Sequence, residues 1–135
     1  IKYYSKNFGI KYEILRTGSL YGIGLRRQFI YDACKKIYSK NNIFFGTGRE
    51  VRDWLYADDL VDLIYIIIKK KALINQIFNV GSGQGLKISE VIVKISELMK
   101  IKIKPTFNKI GIDKNPRTLI SDITVAKKKR LDSKN

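Results

Sequence analysis

The chain has no histidine, one cysteine, one methionine and two prolines in 135 residues. Without histidine there is no imidazole acid/base relay and no histidine-ligated metal. Cys34 alone cannot close an intramolecular disulfide or build a cysteine-rich zinc site. Long apolar runs are missing too. The longest, Leu63 to Ile68, falls far short of the ~18 residues that span a bilayer. No signal peptide is visible, so a reducing cytoplasm and no membrane partner are the expectations. The single methionine, Met99, lies deep in the chain, which opens on Ile1-Lys2-Tyr3-Tyr4 as if inside an element and stops at Lys134-Asn135 without a structural end. A piece of a longer protein, cut at both ends, is the expectation.

Acidic residues are also scarce: 12 against 27 Lys and Arg, for a net charge of +15. Such an excess can mark a polyanion partner. Here the lysines are scattered over polar helix faces in a chain rich in Lys, Ile and Asn. The run Lys127-Lys128-Lys129-Arg130 reads as a solvated helix face, and no nucleic-acid partner is expected. With 44% hydrophobic residues, the chain is one domain or part of one.

Periodicity supplies the elements. Lys11 to Thr17 reads as a strand entered through a turn at Gly9. Arg26 to Ser39 reads as a helix with Phe29, Ala33 and Ile37 on one face and Ile30, Cys34 and Tyr38 beside them. Ile43 to Phe45 is a short strand, Gly46-Thr47-Gly48 a turn, and Val51 to Tyr56 a second strand. Asp58, Asp59 and Asp62 suit a helix start, with Lys69 to Lys71 at its far end. Its interior is apolar nearly all round, which predicts heavy burial. Gln76 to Val80 is a strand. Ser89 is the expected cap of the next helix, with Ile88 stapled onto Val93 and a buried stripe of Val91, Ile95 and Leu98. Lys102 to Phe107 is an edge strand at best, because of Pro105. Thr118 to Asp122 is extended and Thr124 to Leu131 a short helix. Alternating strands and helices predict an α/β fold.

Gly81-Ser82-Gly83-Gln84-Gly85-Leu86-Lys87 imitates a phosphate loop. Leu86 stands before the lysine and Ile88 follows it, so the magnesium-binding hydroxyl of a P-loop is missing. The glycine spacing also fails the dinucleotide fingerprint. It reads as a strand-to-helix loop with glycines at positive φ. Arg52, beside Asp53 and Trp54, fits either a surface ion pair, an arginine packed over the indole, or a fork that grips two phosphate oxygens.

Arg52-Asp53-Trp54-Leu55-Tyr56-Ala57-Asp58-Asp59-Leu60, preceded by Gly46-Thr47-Gly48 and followed by Phe78-Asn79-Val80-Gly81-Ser82-Gly83, resembles the C-terminal portion of the NAD-dependent epimerase/dehydratase family. These are extended short-chain dehydrogenases that remodel nucleotide sugars, UDP-glucose 4-epimerase among them. The resemblance runs from about Tyr3 to Leu131. It implies that Arg52 lines the diphosphate of a nucleotide-sugar substrate. Pro116 to Lys127 resembles the family's closing motif, and there the matching Arg117 reaches the same diphosphate. Leu15 to Gly22 resembles the strand and turn that begin the substrate pocket. Ser19 stands where the family usually has an Asn that donates to a phosphate, and its hydroxyl can still donate. Arg16 has a structural role, and Tyr21 to Arg27 is shorter than the family's nucleotide-covering loop.

The resemblance also implies what is absent. The family's glycine-rich NAD turn does not occur here. Its catalytic Tyr-x-x-x-Lys finds only Tyr31 and Lys35, which follow the strand Lys11–Thr17 instead of preceding it and read as one helix face. No catalytic and no cofactor-binding residue is therefore assigned, and NAD or NADP would bind the missing half. The implied fold is the end of a Rossmann-type parallel sheet, residues 1–25, plus a small α/β substrate lobe with interleaved Rossmann elements, residues 26–135. The implied function is that of a fragment of a nucleotide-sugar epimerase or dehydratase serving polysaccharide biosynthesis, whose parent is a homodimer. A noncatalytic remnant of the fold and a basic nucleic-acid-binding domain are the alternatives.

Overall fold

The structure is a computed structural model that describes residues 1–70, 75–110 and 116–128. It is an α/β fold with parallel strand pairs, as expected. Helix α1 (Lys2–Phe8) ends on Gly9 in the left-handed region and leads into β1 (Glu13–Thr17). Then come β2 (Ser19–Tyr21), α2 (Phe29–Tyr38), β3 (Ile43–Phe44), β4 (Val51–Tyr56) and α3 (Ala57–Lys70). The second half holds β5 (Gln76–Val80), β6 (Gly85–Lys87), α4 (Ile88–Leu98), β7 (Thr106–Phe107), β8 (Thr118–Leu119) and α5 (Thr124–Lys128). Residues Lys71 and 129–131, expected at helix ends, lie outside the described residues.

Among the described residues the strands form three small sheets. β1 pairs in parallel with β5, Leu15 opposite Phe78. β4 is the centre of the second sheet, flanked in parallel by β2 and β8 and antiparallel by β6. β3 pairs in parallel with β7. A strand points successive side chains to opposite faces, and β4 uses this to separate two cores. Leu55 joins Leu63, Ile67, Phe78, Val80 and Ala126 on one side. Trp54 packs on the other against the cluster of Ala33, Ile37, Phe44, Ile88, Val91, Ile92 and Ile95.

Several expectations fail, each for a tertiary reason. α3 is not heavily buried. Leu63 and Ile67 face the core, while Val61, Ile64, Tyr65 and Ile68 are exposed, because the neighbouring elements cover only one side of the helix. Ser89 does not cap α4. The N-cap is Lys87, and the free N–H groups of Ile88 and Ser89 donate to the Glu50 and Gly48 carbonyls at 2.9 and 3.0 Å. The Glu90 carboxylate accepts from the Lys87 N–H at 2.9 Å. Val93 is exposed, so it makes no staple with Ile88, and Leu98 leaves the buried stripe, which Ile88 and Ile92 complete instead. In α2, Ala33 and Ile37 are buried, but Tyr38 is exposed and the helix starts three residues later than predicted, at Phe29. The strand before Phe107 is only two residues long. Among the described residues no helix is long and apolar enough to cross a membrane.

Candidate functional site

The alternation of β4 builds the site. Asp53 points into one side and is 1% exposed. Its Oδ1 accepts from the Ser82 N–H at 2.8 Å and the Ser82 hydroxyl at 2.5 Å. Its Oδ2 accepts from the N–H groups of Gly83 and Ser121 at 3.2 and 3.1 Å. Burial pushes this carboxyl up, but the bonds from Ser82 and Ser121 outweigh burial and hold it below the ordinary carboxylate value. One carboxylate thus ties β4 to the loop after β5 and to the segment after β8. Sequence reading treated Asp53 only as a neighbour of Arg52. The signal available was its parity with Leu55 on an alternating strand.

Arg52 and Trp54 point the other way. They line a cavity of about 250 Å³ together with Ser19, Asp32, Lys36 and Phe45. β2 pairs with β4 in a register that sets Ser19 opposite Trp54, which is how Ser19 and Arg52, far apart along the chain, come to share one cavity. The Arg52 Nη1 donates to the Val51 carbonyl at 2.8 Å. Lys36 donates to the Ile43 carbonyl at 2.9 Å and sits 4.8 Å from the Phe45 ring centre. Asp32 and Lys36, one helical turn apart on α2, were not anticipated as lining residues. Their i, i+4 spacing was the available hint.

The turn before Arg52 is held by Glu50, whose Oε1 accepts from the Thr47 N–H and hydroxyl, both at 2.9 Å. Burial raises the Glu50 carboxyl, and the Thr47 bonds bring it below the usual value. Gly48 sits at φ 75°, and a Cβ there would run into the Phe107 ring. Only glycine meets both demands.

Arg117 is carried on a neighbouring strand. Its carbonyl accepts from the Val51 N–H at 2.8 Å, β8 then runs beside β4 with Leu119 opposite Arg52, and its side chain is exposed and not among the cavity's lining. Arg16 lies at the end of β1 opposite Asn79. It lines a separate hollow with Ser19 and Ser121.

The glycine loop does not fit a dinucleotide. Of its glycines only Gly83 has a positive φ, which narrows the expectation for all three. Gly81 is sealed against the Asp53 carboxylate and the Ser121 hydroxyl, where a Cβ would collide. The loop leads into β6 before α4 begins, so it does not present a helix N-terminus to a pyrophosphate as a dinucleotide turn does. Asp58, then burial, pushes Tyr56 up, opposite to the lowering that acid/base work at neutral pH requires. Among the described residues no group of three His, Cys, Asp or Glu could hold a metal ion.

Comparison with known proteins agrees with this architecture. The chain is 30% identical over 99 residues to a protein of Methanocaldococcus jannaschii provisionally named UDP-glucose 4-epimerase, an alignment that covers 67% of this chain and 30% of the relative. It superposes on the Thermotoga maritima UDP-glucose 4-epimerase with UDP-glucose at a TM-score of 0.82 and 25% identity, covering 94% of this chain and 42% of that one. The Bacillus cereus UDP-glucuronic acid 4-epimerase, solved with UDP-glucuronic acid and NAD, shares the fold at a TM-score of 0.86 and 24% identity over 98% of this chain and 43% of its own. The chain therefore spans less than half the length of each of these three proteins. A sequence model of the NAD dependent epimerase/dehydratase family matches residues 1–81, the stretch that holds β1, β2, α2, the Gly46–Gly48 turn and all of β4. By that match, and with the parallel strand pairs built as in Rossmann-type epimerases, the chain belongs to the NAD-dependent epimerase/dehydratase family.

Proposed function

We propose that this chain forms the lobe of an NAD(P)-dependent nucleotide-sugar epimerase or dehydratase that holds the nucleotide diphosphate, with Arg52, Arg117 and Ser19 on its phosphates. One observation carries the reading: Ser19 from β2 and Arg52 from β4 line the same cavity. A guanidinium offers a planar fork that stays charged and pairs two phosphate oxygens at once. A serine hydroxyl beside it donates a further bond. Arg117 is the third contact. Its backbone bond to Val51 keeps it one strand from Arg52, and its exposed side chain has the length to approach a diphosphate there.

The relatives named above are, by their names, epimerases of UDP-glucose and of UDP-glucuronic acid. The group these substrates share is a nucleoside diphosphate, which is the group the arginines suit. Residues 1–25 then close the cofactor domain and 26–135 form the substrate lobe. Hydride chemistry belongs to the dinucleotide, and the residues of this chain hold and orient the diphosphate.

The test is a titration of the chain with UDP. Trp54 is the only tryptophan and lines the cavity, so its fluorescence reports occupancy, with calorimetry as the independent readout. Arg52→Ala is expected to weaken UDP binding about tenfold or more while the melting temperature holds. Unchanged affinity overturns the clamp.

A further inference from the structure

The cavity at Arg52 holds one group that does not suit a diphosphate. Asp32 lines it together with Arg52 and Lys36, and a carboxylate repels phosphate oxygens. Its place along α2 gives it another role. Phe29, Asp32, Ala33 and Lys36 all line the cavity, at the i, i+3, i+4, i+7 spacing of one helix face. They cover about 10 Å of helix. At one end the Phe29 ring lies 5.6 Å from that of Trp54, which stands opposite Ser19 and on the same face of β4 as Arg52. At the other end Lys36 donates to the Ile43 carbonyl and sits 4.8 Å from the Phe45 ring centre. Asp32 lies between these ends and is exposed. Lys36, four residues on, is spaced for an ion pair with it, yet among the described residues the only ion pair is Lys87–Glu90.

We propose that Asp32 binds the ribose of the nucleotide and makes the site selective for ribonucleotides over 2′-deoxyribonucleotides. The inference rests on the diphosphate reading above. With the phosphates at Ser19 and Arg52, the ribose is the next group along a nucleoside diphosphate and meets the middle of α2. Its 2′ and 3′ hydroxyls are neighbouring donors. A carboxylate is acceptor only, and its two oxygens take both. The base then reaches the far end of α2. The Phe45 ring there is 63% exposed and offers a face for stacking. The order phosphate, ribose, base thus matches the order Arg52, Asp32, Phe45 along the cavity. A nucleotide without the 2′ hydroxyl loses one hydrogen bond to a charged acceptor.

The test compares UDP with 2′-deoxy-UDP on the whole chain, by Trp54 fluorescence and by calorimetry. The two ligands differ by a single hydroxyl. UDP is expected to bind about five- to tenfold more tightly. Asp32→Ala should weaken UDP and bring the two affinities together. Asp32 is exposed on its helix, so the circular dichroism spectrum should stay as in the unmodified chain. Equal affinities of the unmodified chain for the two ligands overturn the ribose contact and leave the diphosphate clamp standing. Binding of neither ligand overturns both. A preference for UDP that persists in Asp32→Ala belongs to another residue and overturns the proposal. So does tighter UDP binding by Asp32→Ala, because the carboxylate then faces phosphate.

Discussion

Asp53 Oδ1 accepts both the main-chain N–H and the hydroxyl of Ser82, at 2.8 and 2.5 Å, across 29 positions of sequence. With Gly83 and Ser121 on Oδ2, this buried charge is compensated by hydrogen-bond donors instead of a cation. Removing an acceptor of this kind strands several buried donors. Asp53→Ala is expected to destabilise the fold by about 3 kcal/mol, and Asp53→Asn by about 2 kcal/mol, since an amide retains one accepting oxygen. Chemical denaturation measures both. Arg52→Ala, one position away on the opposite face, serves as the control and should cost less than either.

The same carboxylate predicts the acid limb of stability. Its folded-state value is depressed, so its contribution is fully present above the unfolded carboxylate value of about 4 and is lost as pH falls through the lower folded value. The stability gap between the unmodified chain and Asp53→Asn should be constant above about pH 5 and narrow below about pH 4. Denaturation curves at a series of pH values decide it, and a gap that widens in acid contradicts the assignment.

Gly81 is the partner feature. Its missing side chain leaves the room that the Asp53 carboxylate and Ser121 hydroxyl occupy. Gly81→Ala is expected to destabilise by about 2 kcal/mol, through overpacking against groups that cannot move without losing bonds. Combined with Asp53→Ala the two effects should be less than additive, because the second substitution removes the clash.

Trp54 behaves differently. Its Nε1 is buried without a hydrogen-bond partner, while its ring packs 5.6 Å from that of Phe29. Trp54→Phe keeps most of the packing and removes the stranded donor. The expected change lies between zero and about 1 kcal/mol of added stability, read from the shift in denaturation midpoint. A loss of about 2 kcal/mol or more would show that the indole N–H is satisfied in solution.

Net charge sets the response to salt. The chain carries +15, and among the described residues the sole ion pair is Lys87–Glu90, at 3.6 Å on the surface. Repulsion therefore exceeds pairing. Raising sodium chloride from roughly 0.05 to 0.5 M shortens the screening length and is expected to raise the melting temperature. A chain stabilised by surface ion pairs would show the reverse.

Much of this architecture is legible in the residues alone. Alternation marks β4 and β5, glycines mark the turn before β4, and the Arg-Asp-Trp strand with its acidic helix start carries the family resemblance. These are local patterns, set by the two-residue and 3.6-residue repeats and by the conformations that only glycine adopts cheaply. Tertiary structure decided which of two apolar faces is covered. α3 is apolar nearly all round, yet Leu63 is buried and Tyr65 exposed, because β4, β5 and α5 contribute core on one side only. It also decided how α4 begins: the carbonyls of Gly48 and Glu50 reach its N–H groups before any serine can. Ser19 and Arg52 meet because β2 and β4 pair, and Asp53 becomes a hub because Ser82 and Ser121 are brought to it from opposite ends of the second half. Local periodicity assigns a residue to a face, whereas pairing between strands far apart in sequence determines what that face meets.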